Sequence, residues 1–307
     1  MVKAAYIFPG QGSQETGMGR DLYERYPAAK SVFDNADKVL GFSLSSLCFE
    51  GDDKELAKTE NAQPALLTMS IACLAAAREA LAEKLPDASF VAGHSLGEYT
   101  ALVAAETISF ESGVLLTRAR GQLMCEAEKL TDGAMAVVIG LPESEVAEAC
   151  KKSGVWIANV NCPGQIVVSG ESDKIKAATA LVKANGAKIV IPLQVSGAFH
   201  TPLMLPAFEG LSRAITTHTI CAPNIPIVSN VSAMPLTTPE GITNELKEQL
   251  YSCVQWQACV EYLVSQGVYT MIEFGCGSVL SGLIGRISNE VEVLNINDVE
   301  SIESFTT

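Results

Sequence analysis

Ser89-Phe90-Val91-Ala92-Gly93-His94-Ser95-Leu96-Gly97 reads as a short strand over 89–92, a turn bracketed by two glycines, and the start of a helix that runs to about residue 106. Strand, sharp glycine turn and helix in that order make an α/β unit. The same grammar opens the chain. A strand at Ala4-Ala5-Tyr6-Ile7-Phe8 breaks into the glycine-rich loop Pro9-Gly10-Gln11-Gly12-Ser13-Gln14.

Working outward, helical segments are predicted at 21–40, with Gly41 as C-cap, and at 64–84, with Pro64 in the first turn. Ser109 can cap a long helix to about residue 130. At about 100° per residue, Leu116, Ala119, Leu123, Ala127 and Leu130 share one arc. Arg120 falls inside that arc, whereas Arg118 projects to the opposite face with Gln122 and Lys129, a side that also carries Val114 and Cys125. A charge on a core face needs an anionic partner.

The pattern changes at 133–193, with strands at 134–139, 155–160, 165–169 and 188–193 and helices at 143–152 and 173–185. The order βαββαβ is the ferredoxin-like arrangement. After it come strands at 226–231 and 270–274, with helices at 244–251 and 254–266 between them. The expectation is an α/β protein. Residues 1–130 and 196–307 form a large α/β-hydrolase-like domain with a parallel central sheet, and residues 131–195 form a small inserted ferredoxin-like domain. No internal repeat or low-complexity linker interrupts the chain.

The composition fits such a fold: 48% of the 307 residues are hydrophobic and 18% charged, enough to bury a core and to exclude a disordered chain. The net charge of −14 repels polyphosphate backbones, so nucleic acid is not an expected partner. The cysteines number nine with no C-x-x-C pair, which suggests neither a disulfide framework nor a zinc site but small buried hydrophobes in a reducing compartment. The start of the chain does not read as a signal peptide. The longest apolar stretch, 64–77, is too short for a membrane span. These features point to a cytoplasmic protein without a membrane association.

Gly93-His94-Ser95-Leu96-Gly97 matches G-x-S-x-G, the turn that lifts a serine hydroxyl out of a sheet and aims the amide of the next residue, Leu96, at a developing oxyanion. A chain of this length yields roughly 0.1 such matches by chance, so the placement between strand and helix carries the weight. The serine needs a base, and the chain has three histidines. His94 lies within the turn and points away from Ser95; His218 sits in a polar run read as solvated surface. His200, where the chain re-enters the larger domain, is the candidate general base and acid. No acidic residue stands out between Ser95 and His200 to orient the imidazole, as an ordinary hydrolase would require. Arg120 can fork onto a carboxylate, either an internal glutamate or one that arrives with the substrate.

Several blocks, in order, make the chain resemble the malonyl-CoA:acyl-carrier-protein transacylases of bacterial fatty-acid synthesis. They are Phe8-Pro9-Gly10-Gln11-Gly12-Ser13-Gln14, Gln63-Pro64-Ala65, Gly93-His94-Ser95-Leu96-Gly97-Glu98, Arg118-Ala119-Arg120-Gly121, Asn161-Cys162-Pro163-Gly164-Gln165, Gly197-Ala198-Phe199-His200 and Val254-Gln255-Trp256. The resemblance implies that Ser95 is the acylated nucleophile and His200 its base. It further implies that Gln11 (side chain and amide) and the Leu96 amide form the oxyanion region, and that the Gln255 carbonyl orients the imidazole. Arg120 would clamp the malonyl carboxylate, Asn161 would line the pantetheine channel, and Phe199 would favour malonyl over methylmalonyl. Cys253 and Cys276 stand where the family often has proline, and the second could alter a turn near the mouth of the site.

The implied reaction is a ping-pong transfer of malonyl from malonyl-CoA to holo-acyl carrier protein, by a monomer, with no metal or cofactor because the thioester supplies the activation. A trans-acting polyketide acyltransferase shares this chemistry and differs mainly in its carrier. A serine esterase or thioesterase shares the turn but explains neither Arg120 nor the missing acid. A non-catalytic carrier-binding module would have no need of both Ser95 and His200.

Overall fold

The structure, a computed structural model, describes residues 3–195 and 197–305. Ser196, at which the chain is expected to re-enter the larger domain, lies outside them. Among the described residues, ten strands form two sheets. β1 (Ala4–Phe8), β2 (Ala88–Gly93), β7 (Ile227–Val228), β8 (Pro235–Leu236), β9 (Thr270–Phe274) and β10 (Glu292–Ile296) make a six-stranded sheet in the order β10-β9-β1-β2-β7-β8. It is parallel except at its edge, where the two-residue β8 runs antiparallel to β7. The sequence reading omits β8 and β10, two residues long in one case and set among acidic residues in the other.

Every residue of β1 is buried, as a central parallel strand requires when helices cover both faces. Tyr6 and Phe8 point into one helical layer; Ala5 and Ile7 point into the other, against the helices Trp256–Ser265 and Val279–Ile287. The first layer contains the helix Thr59–Leu81, packed on the helix Phe110–Glu128. Thr59–Leu81, with the turn that continues it to Lys84, is longer than the apolar core of its sequence suggests. It meets the length and composition of a membrane span, yet most of that stretch is buried inside the fold.

Pro64 therefore sits inside this helix rather than at its start, and it cannot give an N–H to the Glu60 carbonyl. Arg118 Nη1 donates to that carbonyl instead, at 2.7 Å, and also to Asn61 Oδ1. The expected segment 21–40 is likewise two helices, Arg20–Arg25 and Pro27–Leu40, because Pro27 starts a new first turn; Gly41 caps the second with φ +73°. Ser109 caps its helix through the Ser112 amide, but Leu130 lies beyond the helix end and is 71% exposed, while Val114 is buried.

β3 (Gly133–Ile139), β4 (Trp156–Cys162), β5 (Gln165–Glu171) and β6 (Ile189–Pro192) form a separate antiparallel sheet in the order β4-β5-β3-β6, the ferredoxin-like order. Ala136, Val138, Ile166 and Val168 pack against the helices Glu143–Ser153 and Ser172–Ala184. Met135, Ala158 and Val167 pack into the core of the larger unit. Val254 ties the two together: its amide donates to Ala158 and its carbonyl accepts from Val160.

Candidate active site

The loop after β1 and the turn after β2 lie side by side, because Phe8 pairs with Gly93 in the parallel register. Both glycines of the turn are steric requirements. A Cβ on Gly93 would meet the Gly97 carbonyl at 1.9 Å, and one on Gly97 would meet the Phe8 oxygen at 2.1 Å. Between them Ser95 is held at φ +51°, a strained conformation for a residue with a side chain. Asn230 holds the turn in that shape. Its Oδ1 accepts the Ser95 amide at 2.7 Å and its Nδ2 donates to the Gly93 carbonyl at 2.7 Å.

His200, itself at φ +58°, approaches from the other side; its Nε2 is 2.7 Å from Ser95 Oγ. His200 Nδ1 lies 2.9 Å from the main-chain oxygen of Gln249, so Nδ1 carries the proton and Nε2 is left to accept. This corrects the expectation for Gln255. The Gln255 carbonyl accepts the Cys259 amide at 2.9 Å at the start of the helix Trp256–Ser265, and the imidazole's main-chain contact is with Gln249 instead. Gln249 follows the last turn of the helix Pro239–Glu248, where carbonyls lack intrahelical donors.

Burial, and after it the Arg120 charge, hold the His200 pKa down at about 3. The imidazole is thus neutral across the range in which a free histidine titrates. The acylation rate should show no acid limb centred near the ordinary histidine value of about 6.5; a pH–rate profile of single-turnover acylation checks this, and a limb at that value would contradict it. The stability consequence has the opposite visibility. Between about pH 3 and 6.5 the unfolded chain binds a proton at this position that the native chain does not, so His200 makes the fold less stable as pH falls through that window.

Arg120 is 2% exposed, as its place on the core-facing arc suggests. Its described partners are amides and a hydroxyl rather than a carboxylate: Nη1 donates to Gln63 Oε1 at 2.8 Å, and Nη2 to Gln249 Oε1 at 3.0 Å and toward Ser95 Oγ at 3.4 Å. Its Nε has no partner among the described residues, and the guanidinium stands over the Tyr99 ring. A desolvated cation with no carboxylate in hydrogen-bond contact among the described residues, this close to a nucleophile, is costly unless an anion binds there.

A cleft of about 510 Å³ opens over these groups, lined by the 10–14 loop, by Ser95, Leu96, Arg120, Phe199 and His200, and by Met135, Val137, Asn159, Asn161 and Val167 of the small sheet. The main-chain amides of Leu96 and Gln11 have no hydrogen-bond partner among the described residues. The Gln11 side chain commits one donor to Thr59 Oγ1 at 3.1 Å. Phe199 and Asn161 both face the cleft. Asn161 Oδ1 lies 2.9 Å from Nε2 of His94, whose ring turns away from Ser95 onto Trp256. His218, expected at the solvated surface, is half-buried with Nδ1 3.0 Å from Ser112 Oγ. Cys276 is buried near Glu15 and Cys253 is half-buried; neither lines the cleft. Of the other cysteines, Cys221 is exposed and departs from the expectation of buried hydrophobes.

Four residues of this network are not assigned by the sequence alone: Gln63, Asn230, Gln249 and Glu98, which accepts from Gln249 Nε2 at 2.6 Å. Gln63 and Glu98 stand within the blocks that carry the resemblance, but their side-chain partners are not legible there. Gln249, in Lys247-Glu248-Gln249, looks like an ordinary polar helix end.

A strained serine, a neutral histidine on its hydroxyl and free amides at a helix start define a serine acyl-transfer centre. The acyl transferase domain family matches residues 5–302. Over 99% of the chain and 96% of the relative, it is 48% identical to the malonyl CoA-acyl carrier protein transacylase of Bacillus subtilis; it is 43% identical to that of Staphylococcus aureus over 99% of each. A crystal structure of an acyl carrier protein S-malonyltransferase from Vibrio cholerae superposes with a TM-score of 0.94 at 42% identity, covering 98% of this chain and 99% of that one. A malonyl-transacylase in complex with a type II PKS acyl-carrier protein superposes equally well, at 40% identity over 98% of each chain. The chain belongs to the acyl transferase family and, within it, to the malonyl CoA-acyl carrier protein transacylases.

Proposed function

We propose that this protein transfers the malonyl group of malonyl-CoA to the phosphopantetheine thiol of acyl carrier protein through a malonyl–Ser95 ester, supplying fatty-acid synthesis. Residues 1–130 and 196–307 form the catalytic unit in this reading, and 131–195 the unit that walls the cleft. The observation that carries it is the buried Arg120 guanidinium, coordinated by amides and 3.4 Å from the Ser95 hydroxyl. A carboxylate at the far end of the acyl group supplies the missing anion.

Ser95 Oγ attacks the thioester carbonyl as His200 Nε2 takes its proton, and the tetrahedral oxyanion is received by the amides of Leu96 and Gln11. Collapse breaks the C–S bond, and the sulfur takes the proton from Nε2 to leave as the coenzyme A thiol. The carrier's thiol then gives its proton to Nε2 and attacks the ester carbon; the C–Oγ bond breaks and Ser95 is reprotonated. The malonyl carboxylate also serves the base. By neutralising Arg120 it removes the second-largest of the causes that depress His200. Asn161 lines the path of the pantetheine arm, and Phe199 limits substitution on the acyl group. The relatives' place in fatty-acid synthesis supports a cytoplasmic site of action.

Intact-protein mass spectrometry after brief incubation with malonyl-CoA, beside acetyl-CoA, tests the reading. The expected result is a malonyl-sized adduct on Ser95 that discharges onto holo-acyl carrier protein. An adduct lost to water equally fast without the carrier would mean a hydrolase. Comparing a fatty-acid carrier with a polyketide carrier separates the two assembly lines that share this chemistry.

A further inference from the structure

Behind the Ser95 turn lies a carboxyl group that the mechanism does not use. Glu98 is completely buried, and each of its oxygens accepts one hydrogen bond: Oε1 from the Asn230 amide at 2.9 Å, Oε2 from Gln249 Nε2 at 2.6 Å. Asn230 is the residue that grips both ends of the Ser95 turn. Gln249 is the residue whose carbonyl orients His200, whose Nε2 also donates to the Ser95 carbonyl at 2.8 Å, and whose Oε1 receives Arg120. Glu245 lies within hydrogen-bond reach of Glu98, and it is bound in turn by the Ser229 hydroxyl and the Val231 amide.

The orientation of the Gln249 amide follows from its neighbours. Arg120 presents only donors and demands the oxygen, which leaves the NH₂ group to find an acceptor on the opposite side. Two acceptors meet its two hydrogens there, the Ser95 carbonyl at 2.8 Å and Glu98 Oε2 at 2.6 Å, and Glu98 is the one supplied by a side chain. We propose that Glu98 is a positioning residue for acyl-group selection: by accepting from Gln249 it fixes the amide so that Arg120 is held, fork forward, for the malonyl carboxylate. This rests on the function proposed above, with Arg120 as the acyl-carboxylate clamp.

Glu98→Gln isolates the requirement, because it keeps the shape and removes one of the two acceptors. Two donors, the Asn230 amide and Gln249 Nε2, then converge on a side chain with a single oxygen. The Asn230 amide is main chain and cannot turn, so Gln249 loses its Glu98 anchor and is left with the Ser95 carbonyl alone, which loosens the amide that receives Arg120. The readout is the ratio of malonyl to acetyl acylation of Ser95, measured by mass on the folded protein and normalised to the fraction that can be acylated. That ratio should fall by about 10- to 100-fold, the scale of a mispositioned charged hydrogen bond. A double-mutant cycle with Gln249→Met should be strongly non-additive, since both changes act through one amide.

A purely structural Glu98 would lower the melting temperature and the folded yield but leave the ratio of the folded protein unchanged; a ratio within about twofold of the original overturns the proposal. Glu98→Asp keeps two acceptors on a shorter arm and should retain more selectivity than the amide. If neither variant folds, Glu98 is a folding residue and the proposal is likewise overturned. Failure of the parent protein to take a malonyl adduct at all would instead strike the proposed function, which keeps the two outcomes apart.

Discussion

Replacing Ser95 by alanine yields a folded protein that gains no acyl mass from malonyl-CoA. Replacing His200 by alanine leaves Ser95 in place but slows acylation by about 10²- to 10⁴-fold, the contribution typical of a positioned general base. The geometry sets both expectations. Ser95 Oγ, the proposed nucleophile, stands on the strained turn with His200 Nε2 at 2.7 Å, and Leu96 lines the same cleft. The His200 ring is fixed in the useful tautomer by a main-chain oxygen, not by a carboxylate. Because the two act as one unit, the double variant should be no slower than Ser95→Ala alone. A rapid-quench assay with mass detection measures each rate. A His200→Ala protein that acylates within tenfold of the parent would show that another group takes the proton.

What made this pair legible in the sequence is local. The turn around Ser95 is written in adjacent residues, and its two glycines are demanded by contacts of 1.9 and 2.1 Å that any side chain would violate. β1 announces itself as an unbroken apolar run, and the ferredoxin-like unit by its alternation of strand and helix patterns. Arg120 is visible because a charge on an apolar arc is anomalous. Features that depend on distant parts of the chain meeting in space are of another kind. Gln249 serves the site with its carbonyl, which every residue possesses, and no residue type signals which carbonyl a helix end leaves free. The Val-Gln-Trp block drew attention to Gln255, six residues further on, whose carbonyl accepts from its own helix. Thr59–Leu81 runs through Pro64 because Arg118, far away in sequence, takes the orphaned Glu60 carbonyl. The strands β8 and β10 escape notice because a two-residue edge strand and an acidic strand carry little apolar pattern.

Arg120→Ala should separate malonyl from acetyl. The wild-type site holds a cation that is 2% exposed and, among the described residues, has no partner for Nε and is hydrogen-bonded by two glutamine oxygens and a hydroxyl, so an acetyl group leaves its desolvation uncompensated while a malonyl group satisfies it. Removing the guanidinium forfeits a forked pair of charged hydrogen bonds, about 1.5–3 kcal/mol each, and malonyl acylation should drop by about 10²- to 10⁴-fold. Acetyl acylation should drop far less, and one physical effect acts to raise it. The Arg120 charge is the second cause of the depressed His200 pKa, so its loss returns proton affinity to the base without any help from the substrate. Arg120→Lys, which keeps the charge and loses the fork, should fall between the two. Single-turnover rates with both thioesters supply the comparison, and equal losses for malonyl and acetyl would remove Arg120 from the acyl pocket. In that case the amides of Gln63 and Gln249 would be holding an internal structural charge, and the preference for a carboxylate-bearing acyl group would have to come from elsewhere in the cleft.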